Sequence, residues 1–68
     1  MSQMQKIVAY MREHGSIDQR RAVADLGCYR LGARIYDLKA AGVPVRTTRR
    51  ERLDERGRVV ASWSEYSL

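Results

Sequence analysis

The chain has 68 residues, of which 44% are hydrophobic, and its 13 Lys and Arg against eight Asp and Glu give a net charge of +5. This length allows one small domain, and the apolar content excludes a disordered polar segment. The positive excess favours a polyanionic partner. Cys28 and His14 are the only residues of their types, which excludes an internal disulfide and a His–Cys metal cluster.

The N-terminal segment has the pattern of an amphipathic helix. Its apolar residues recur at the spacing of one helix face: Met4, Ile7, Val8 and Met11. Ser2 can cap the start, and Gly15 can end the helix in a left-handed conformation. The pattern predicts a first helix over residues 3–14. The charges scattered through it exclude a signal peptide and a membrane span.

A second, shorter helix follows an extended link at Ser16 and Ile17. Asp18 is a good N-cap, and Gly27 breaks the chain, so we expect this helix over residues 18–26. Three of its residues should face inward: Ala22, Val23 and Leu26.

The third predicted helix covers residues 29–41. Leu31, Ile35 and Leu38 recur at the spacing of one buried stripe. Gly42 stands at its C-terminal exit, and Pro44 cannot continue a helix.

After Pro44 the residue pattern changes from that of a helix to that of β-strands. Two segments rich in β-branched and aromatic residues flank the turn Asp54–Gly57, which predicts a β-hairpin over residues 45–66. The order of three helices followed by a hairpin is the plan of an α+β winged helix-turn-helix, in which the hairpin is the wing. We therefore expect residues 1–68 to form a single domain of this kind.

The third helix carries the residues that we expect to contact bases in the major groove of DNA. With the Leu31–Leu38 stripe set inward, Tyr29, Arg30 and Ala33 point outward and can approach base edges or phosphates. Arg34 lies nearer the flank, where it either contacts DNA or pairs with Asp37 on the helix surface. Tyr36 also points outward, but we expect it to pack on the hairpin.

The hairpin supplies candidate phosphate contacts. Six arginines lie in it: Arg46, Arg49, Arg50, Arg52, Arg56 and Arg58. Strand alternation should place Arg46, Arg50 and Arg52 on one face, and the alternative role of these charges is to protect an edge strand from aggregation. On the last strand we expect Trp63 and Tyr66 to cover the small core.

The run LGCYRLGARIYDLKAAGVPVRT, from Leu26 to Thr47, resembles a family of small helix-turn-helix proteins common in phage and prophage genomes. The resemblance covers residues 3–52, and the segment RIYDL at Arg34–Leu38 is its most distinctive part. It implies a DNA-binding winged helix with this segment in the recognition helix. The chain departs from the family at Tyr29, where Thr or Ser usually caps that helix, because an aromatic side chain cannot cap.

The sequence therefore predicts a non-enzymatic, cytoplasmic protein that binds double-stranded DNA in the nucleoid of a bacterial host, as a small regulator, excision factor or architectural factor. It contains no pattern of a catalytic, metal, cofactor, small-molecule or membrane site. A footprint this small favours a homodimer or a cooperative array. The alternative is a winged helix that binds or inhibits a host protein. RNA binding is disfavoured because the hairpin lacks interleaved aromatic residues.

Overall fold

The computed structural model describes residues 2–68 and contains three helices and three strands within that range. The elements in chain order are α1 (Gln3–His14), β1 (Ile17–Asp18), α2 (Gln19–Leu26), α3 (Leu31–Ala40), β2 (Arg46–Leu53) and β3 (Val59–Ser67). This arrangement confirms the predicted fold class. None of the described helices is long and apolar enough to cross a lipid bilayer.

Local hydrogen bonds at the predicted caps define the first two helices. Ser2 and Gln5 form a reciprocal capping box at the start of α1, which ends at Gly15 with φ of 87°. The Asp18 carboxylate accepts the backbone N–H of Arg21 at 2.8 Å and so caps α2. These ends depend on residues close in sequence, which is why the pattern located them.

The third helix is shorter than predicted, and the bounds of 29–41 are corrected to Leu31–Ala40. Arg30 is not helical, with φ of −128° and ψ of 57°, and its side chain does not cap the helix. The backbone N–H of Cys28 donates to the carbonyl of Ala22, so Cys28 still belongs to the C-terminal cap of α2. Tyr29 and Arg30 therefore precede the helix instead of forming its first turn.

The three strands form an antiparallel sheet in the order β1-β3-β2. The predicted extended link after α1 is thus the short strand β1, whose Ile17 pairs with Tyr66 of β3. Two residues are too few to show strand periodicity, so the sequence did not indicate this pairing. The pairing ties the end of β3 to the helices.

The core lies between the helices and one face of the sheet. Nine buried residues form it: Ile7, Tyr10, Met11, Ile17, Ala22, Cys28, Leu31, Ile35 and Leu38. Tyr66 packs against this cluster as predicted. The prediction for Trp63 was wrong, since it is 36% exposed. Trp63 and Tyr66 are three positions apart on one strand, so they point to opposite faces, and Trp63 lines a cleft of ≈ 410 Å³ beside the start of α2.

Candidate nucleic-acid interface

The solvent face of α3 and the residues just before it form one exposed surface. Tyr29 is 76% exposed and Tyr36 is 72% exposed, and Arg30 and Ala33 are exposed as well. The expectation that Tyr36 packs on the hairpin was therefore wrong. The opposite face of α3 is buried at the three predicted positions, Leu31, Ile35 and Leu38. Burial of this stripe determines which side chains α3 can offer to a partner.

A side chain from α2 supports the start of α3. Gln19 accepts the backbone N–H of Leu31 through Oε1 at 3.0 Å and donates from Nε2 to the carbonyl of Cys28 at 3.0 Å. The amide of Gln19 thus takes the place of the N-cap side chain that Tyr29 and Arg30 lack. The sequence did not indicate this role for Gln19, because the two helices are brought together only by the turn between them.

Arg34 forms the surface pair with Asp37 that was one of the two roles predicted for it. Its terminal nitrogen lies 3.2 Å from the carboxylate of Asp37, three residues later in α3. Its Nε atom is buried and has no hydrogen-bond partner among the described residues. Asp37 is the only acidic residue of α3, so the pair offsets the one negative charge on this helix.

The strand register divides the hairpin arginines between two faces. Arg50 is paired with Trp63 and Arg52 with Ala61, and together with Arg46 they occupy the face opposite Tyr66, as alternation predicts. Arg49 lies on the other face, which is the face that packs on the helices. Every residue of β2 is exposed. The arginine-rich face predicted from the sequence is thus the face opposite Tyr66, and its Arg52 and Trp63 line the cleft beside the start of α2.

Two hairpin arginines are paired with carboxylates. Arg50 lies 3.1 Å from Glu65, and Arg58 lies 2.9 Å from Asp54 across the turn. Asp54 also accepts the backbone N–H groups of Arg58 at 2.9 Å and Arg56 at 2.8 Å. These hydrogen bonds, with the one from Arg58 as the largest cause, hold the pKa of Asp54 below its ordinary value. The carboxylate therefore holds the turn closed.

Arg49 and Lys39 form a second group of cations, on the helical side of the hairpin. The guanidinium of Arg49 donates to the hydroxyls of Ser62 at 2.9 Å and Ser64 at 3.2 Å. Lys39, near the end of α3, donates to Thr47 at 3.2 Å. Neither cation has a carboxylate partner in residues 2–68. Lys39 was not among the predicted contacts, because only its hydrogen bond to Thr47 in the folded chain shows that it adjoins β2.

A buried tyrosine connects α1 to α2 behind this surface. The hydroxyl of Tyr10 donates to Asp25 at 2.5 Å and accepts from Nε of Arg21 at 3.1 Å. The hydrogen bond to Asp25 is the largest cause of a raised pKa for Tyr10. The ring of His14 lies 4.3 Å from the ring of Tyr10, centroid to centroid. Tyr10 lies off the apolar stripe used to predict α1, so the sequence did not indicate this role.

A protein-family model described as a winged helix-turn-helix domain matches residues 2–68 of the chain. The search of curated proteins found no significant match. The search of solved structures likewise found none.

Proposed function

The chain belongs to the winged helix-turn-helix domain family, and we propose that it binds double-stranded DNA sequence-specifically, without catalysing a reaction. In this proposal α3 enters the major groove and the hairpin contacts the phosphate backbone. The resemblance to phage and prophage proteins favours a small transcriptional regulator or an excision or architectural factor. Its place of action would be the nucleoid of a bacterial cell.

The observation that carries the proposal is the charge and shape of the exposed side of α3. Arg30 has no carboxylate partner in residues 2–68, whereas the only carboxylate of α3, on Asp37, is paired with Arg34. Ala33 is small and exposed, so the backbone can approach base edges there. Arginine is well suited to guanine, because it can donate two hydrogen bonds to its major-groove edge. We therefore assign base contact to Arg30 and close approach to Ala33 and Tyr29.

Cations without a carboxylate partner are the best candidates for contacts with the phosphate backbone. Lys39 and Arg49 lie on the helical side of the sheet, and Arg46, Arg52 and Arg56 have no carboxylate partner among the described residues. Arg34, Arg50 and Arg58 can also contact phosphate, but each must first leave its carboxylate. About five phosphate contacts would give a slope of roughly −4 to −5 for the logarithm of the binding constant against the logarithm of salt concentration.

The test is a titration of the chain into duplex DNA from the region upstream of its own gene and into a scrambled duplex. Each titration is run at 50 and 200 mM salt with the wild type, Arg30→Ala and Arg12→Ala. Arg12 is an exposed cation of α1 and serves as the charge-matched control. We expect binding that prefers the upstream duplex, weakens with salt and weakens about tenfold or more with Arg30→Ala, but no more than twofold with Arg12→Ala. Absence of duplex binding at 50 mM salt would reject the proposal.

A protein partner is the second candidate, and the exposure of Tyr29 and Tyr36 favours it. Tyrosine is enriched in protein interfaces, and both of these side chains are more than two-thirds exposed. An acidic partner surface would also attract the arginines. This candidate gains support if the chain binds no duplex in the titration above, and loses it if binding depends on both Arg30 and DNA sequence.

A further inference from the structure

The outer end of the hairpin exposes three large apolar side chains. Leu53 and Val59 are each 54% exposed and Val60 is 52% exposed. They lie next to the turn, at the end of the hairpin farthest from β1. Exposed apolar residues scattered singly are ordinary, whereas a contiguous group marks a candidate contact surface.

An irregularity in the strand pairing brings these side chains to one face. Arg52 is paired with Ala61 but Leu53 is paired with Val59, so Val60 is the extra residue of a β-bulge. Val59 shares a face with its partner Leu53. Val60 and Leu53 are the next residues toward the turn after the pair of Ala61 and Arg52. Because side chains alternate along a strand, Val60 lies on the same face as Leu53. The apolar tip, as we call Leu53, Val59 and Val60, lies on the same strand face as Thr47.

The charge around the apolar tip is balanced, unlike the rest of the hairpin. Residues 51–58 contain three arginines and three carboxylates, so their net charge is zero. One of these pairs, Arg58 with Asp54, is formed at 2.9 Å. Residues 46–50 instead carry three arginines and no carboxylate. The base of the hairpin thus carries an excess of positive charge that its outer end lacks, and the face with Leu53, Val59 and Val60 is suited to an apolar surface.

We propose that the apolar tip is the contact surface for a second copy of this chain bound beside it on the same duplex. The proposal rests on the DNA-binding function proposed above. A second copy fits because the tip presents no net charge, so two tips can meet without the repulsion that a net charge of +5 otherwise imposes.

The size of the apolar tip determines when this contact forms. Three half-exposed side chains offer only a few hundred Å² per copy, whereas a stable protein interface buries about 1,200–2,000 Å² in total. Two free chains therefore associate weakly. When two chains bind neighbouring sites on one duplex, their effective concentration rises. The tip contact then makes DNA binding cooperative.

The experiment compares a short duplex of 15 base pairs with a duplex of 60 base pairs, using the wild type, the double variant Leu53→Ser/Val60→Ser, and Leu68→Ser. Leu68 is 40% exposed at the other end of β3 and is the matched control. We expect the wild type and Leu68→Ser to bind the long duplex with about tenfold cooperativity. The double variant should lose that cooperativity and bind the short duplex within twofold of the wild type. Equal cooperativity in the double variant, or duplex binding without cooperativity in the wild type, overturns the proposal.

A second arm needs no DNA and separates this proposal from the proposed function. Amide chemical shifts of the free chain are followed by NMR from 0.05 to 1 mM. We expect the amides of residues 53–60 to shift with concentration in the wild type but not in the double variant. If this dependence is present and no duplex binds, the tip contact stands and the DNA function fails. If duplexes bind without cooperativity and the shifts are constant, the tip contact fails and the DNA function stands.

Discussion

The side-chain oxygen of Gln19 accepts a hydrogen bond from the backbone N–H of Leu31 at 3.0 Å, so the first residue of α2 caps the first residue of α3. Helix N-termini have unpaired N–H groups that a cap must satisfy. The cap here comes from a different helix, which connects the position of α3 to the packing of α2.

We expect Gln19→Ala to lower the free energy of unfolding by about 1 kcal/mol, the ordinary effect of removing a helix cap. It should also weaken duplex binding, because the first turn of α3 would fray beside Arg30. Urea denaturation and the duplex titration measure the two effects. Gln3→Ala, which removes an exposed glutamine of α1, is the control. Equal stability of the two variants would show that the Gln19 bonds contribute nothing.

Arg49 and Arg50 are neighbours in sequence with different surroundings. Arg50 is paired with Glu65, whereas the side-chain partners of Arg49 within residues 2–68 are serine hydroxyls. Arg49 lies on the same strand face as Tyr66. We expect Arg49→Ala to weaken duplex binding and to reduce the salt slope by about 1. Arg50→Ala should change the slope by less than half as much. The measurement is the duplex binding constant over a series of salt concentrations, and a larger effect at Arg50 would contradict the assignment.

Tyr10 should make the fold sensitive to alkaline pH. Its pKa is raised in the folded chain, first by the hydrogen bond to Asp25. A raised folded-state pKa gives stability that is fully present below the unfolded value near 10 and is lost as pH rises through the folded value. We expect the melting temperature of the wild type to fall more steeply above pH 10 than that of Tyr10→Phe. Tyr36→Phe, at an exposed tyrosine, should behave as the wild type.

Asp54 should make the stability of the hairpin turn sensitive to acid pH. Its pKa is lowered by the hydrogen bonds from Arg58 and Arg56, so its contribution is fully present above the ordinary pKa of an aspartate and is lost as pH falls through the folded value. We expect Asp54→Asn to weaken the hairpin turn at pH 7 and to remove its response to acid below about pH 4. Amide hydrogen exchange of residues 53–59 is the measurement, with Glu55→Gln as control. An unchanged acid response would show that another group controls it.

Much of the fold could be predicted from the sequence, because its signals are local. The apolar stripe of α1 and the caps at Ser2 and Asp18 involve residues within a few positions of one another, and the structure places the ends of α1 and α2 there. The hairpin turn is equally local, since Asp54 binds the backbone two and four residues later. Helix periodicity likewise indicated the buried stripe of α3 at Leu31, Ile35 and Leu38.

For the candidate interface, the sequence predicted which residue types are present but not how they are paired. The sequence indicated a basic hairpin and an exposed face on the third helix, and it offered the pairing of Arg34 with Asp37 as an alternative, which the structure contains. It did not indicate that Arg50 pairs with Glu65, since those residues are 15 positions apart and meet only through the register of β2 with β3.

The sequence by itself determined the order of the elements, the buried stripes and the net positive charge, since each follows from residue type and short-range spacing. Tertiary structure alone decided where α3 begins, which arginines remain unpaired, and that Trp63 is exposed while Tyr66 packs on the core. The physical reason is the same in each case. These outcomes depend on partners distant in the chain, such as Gln19 for Leu31 and Glu65 for Arg50, which come together only when the helices pack and the strands pair.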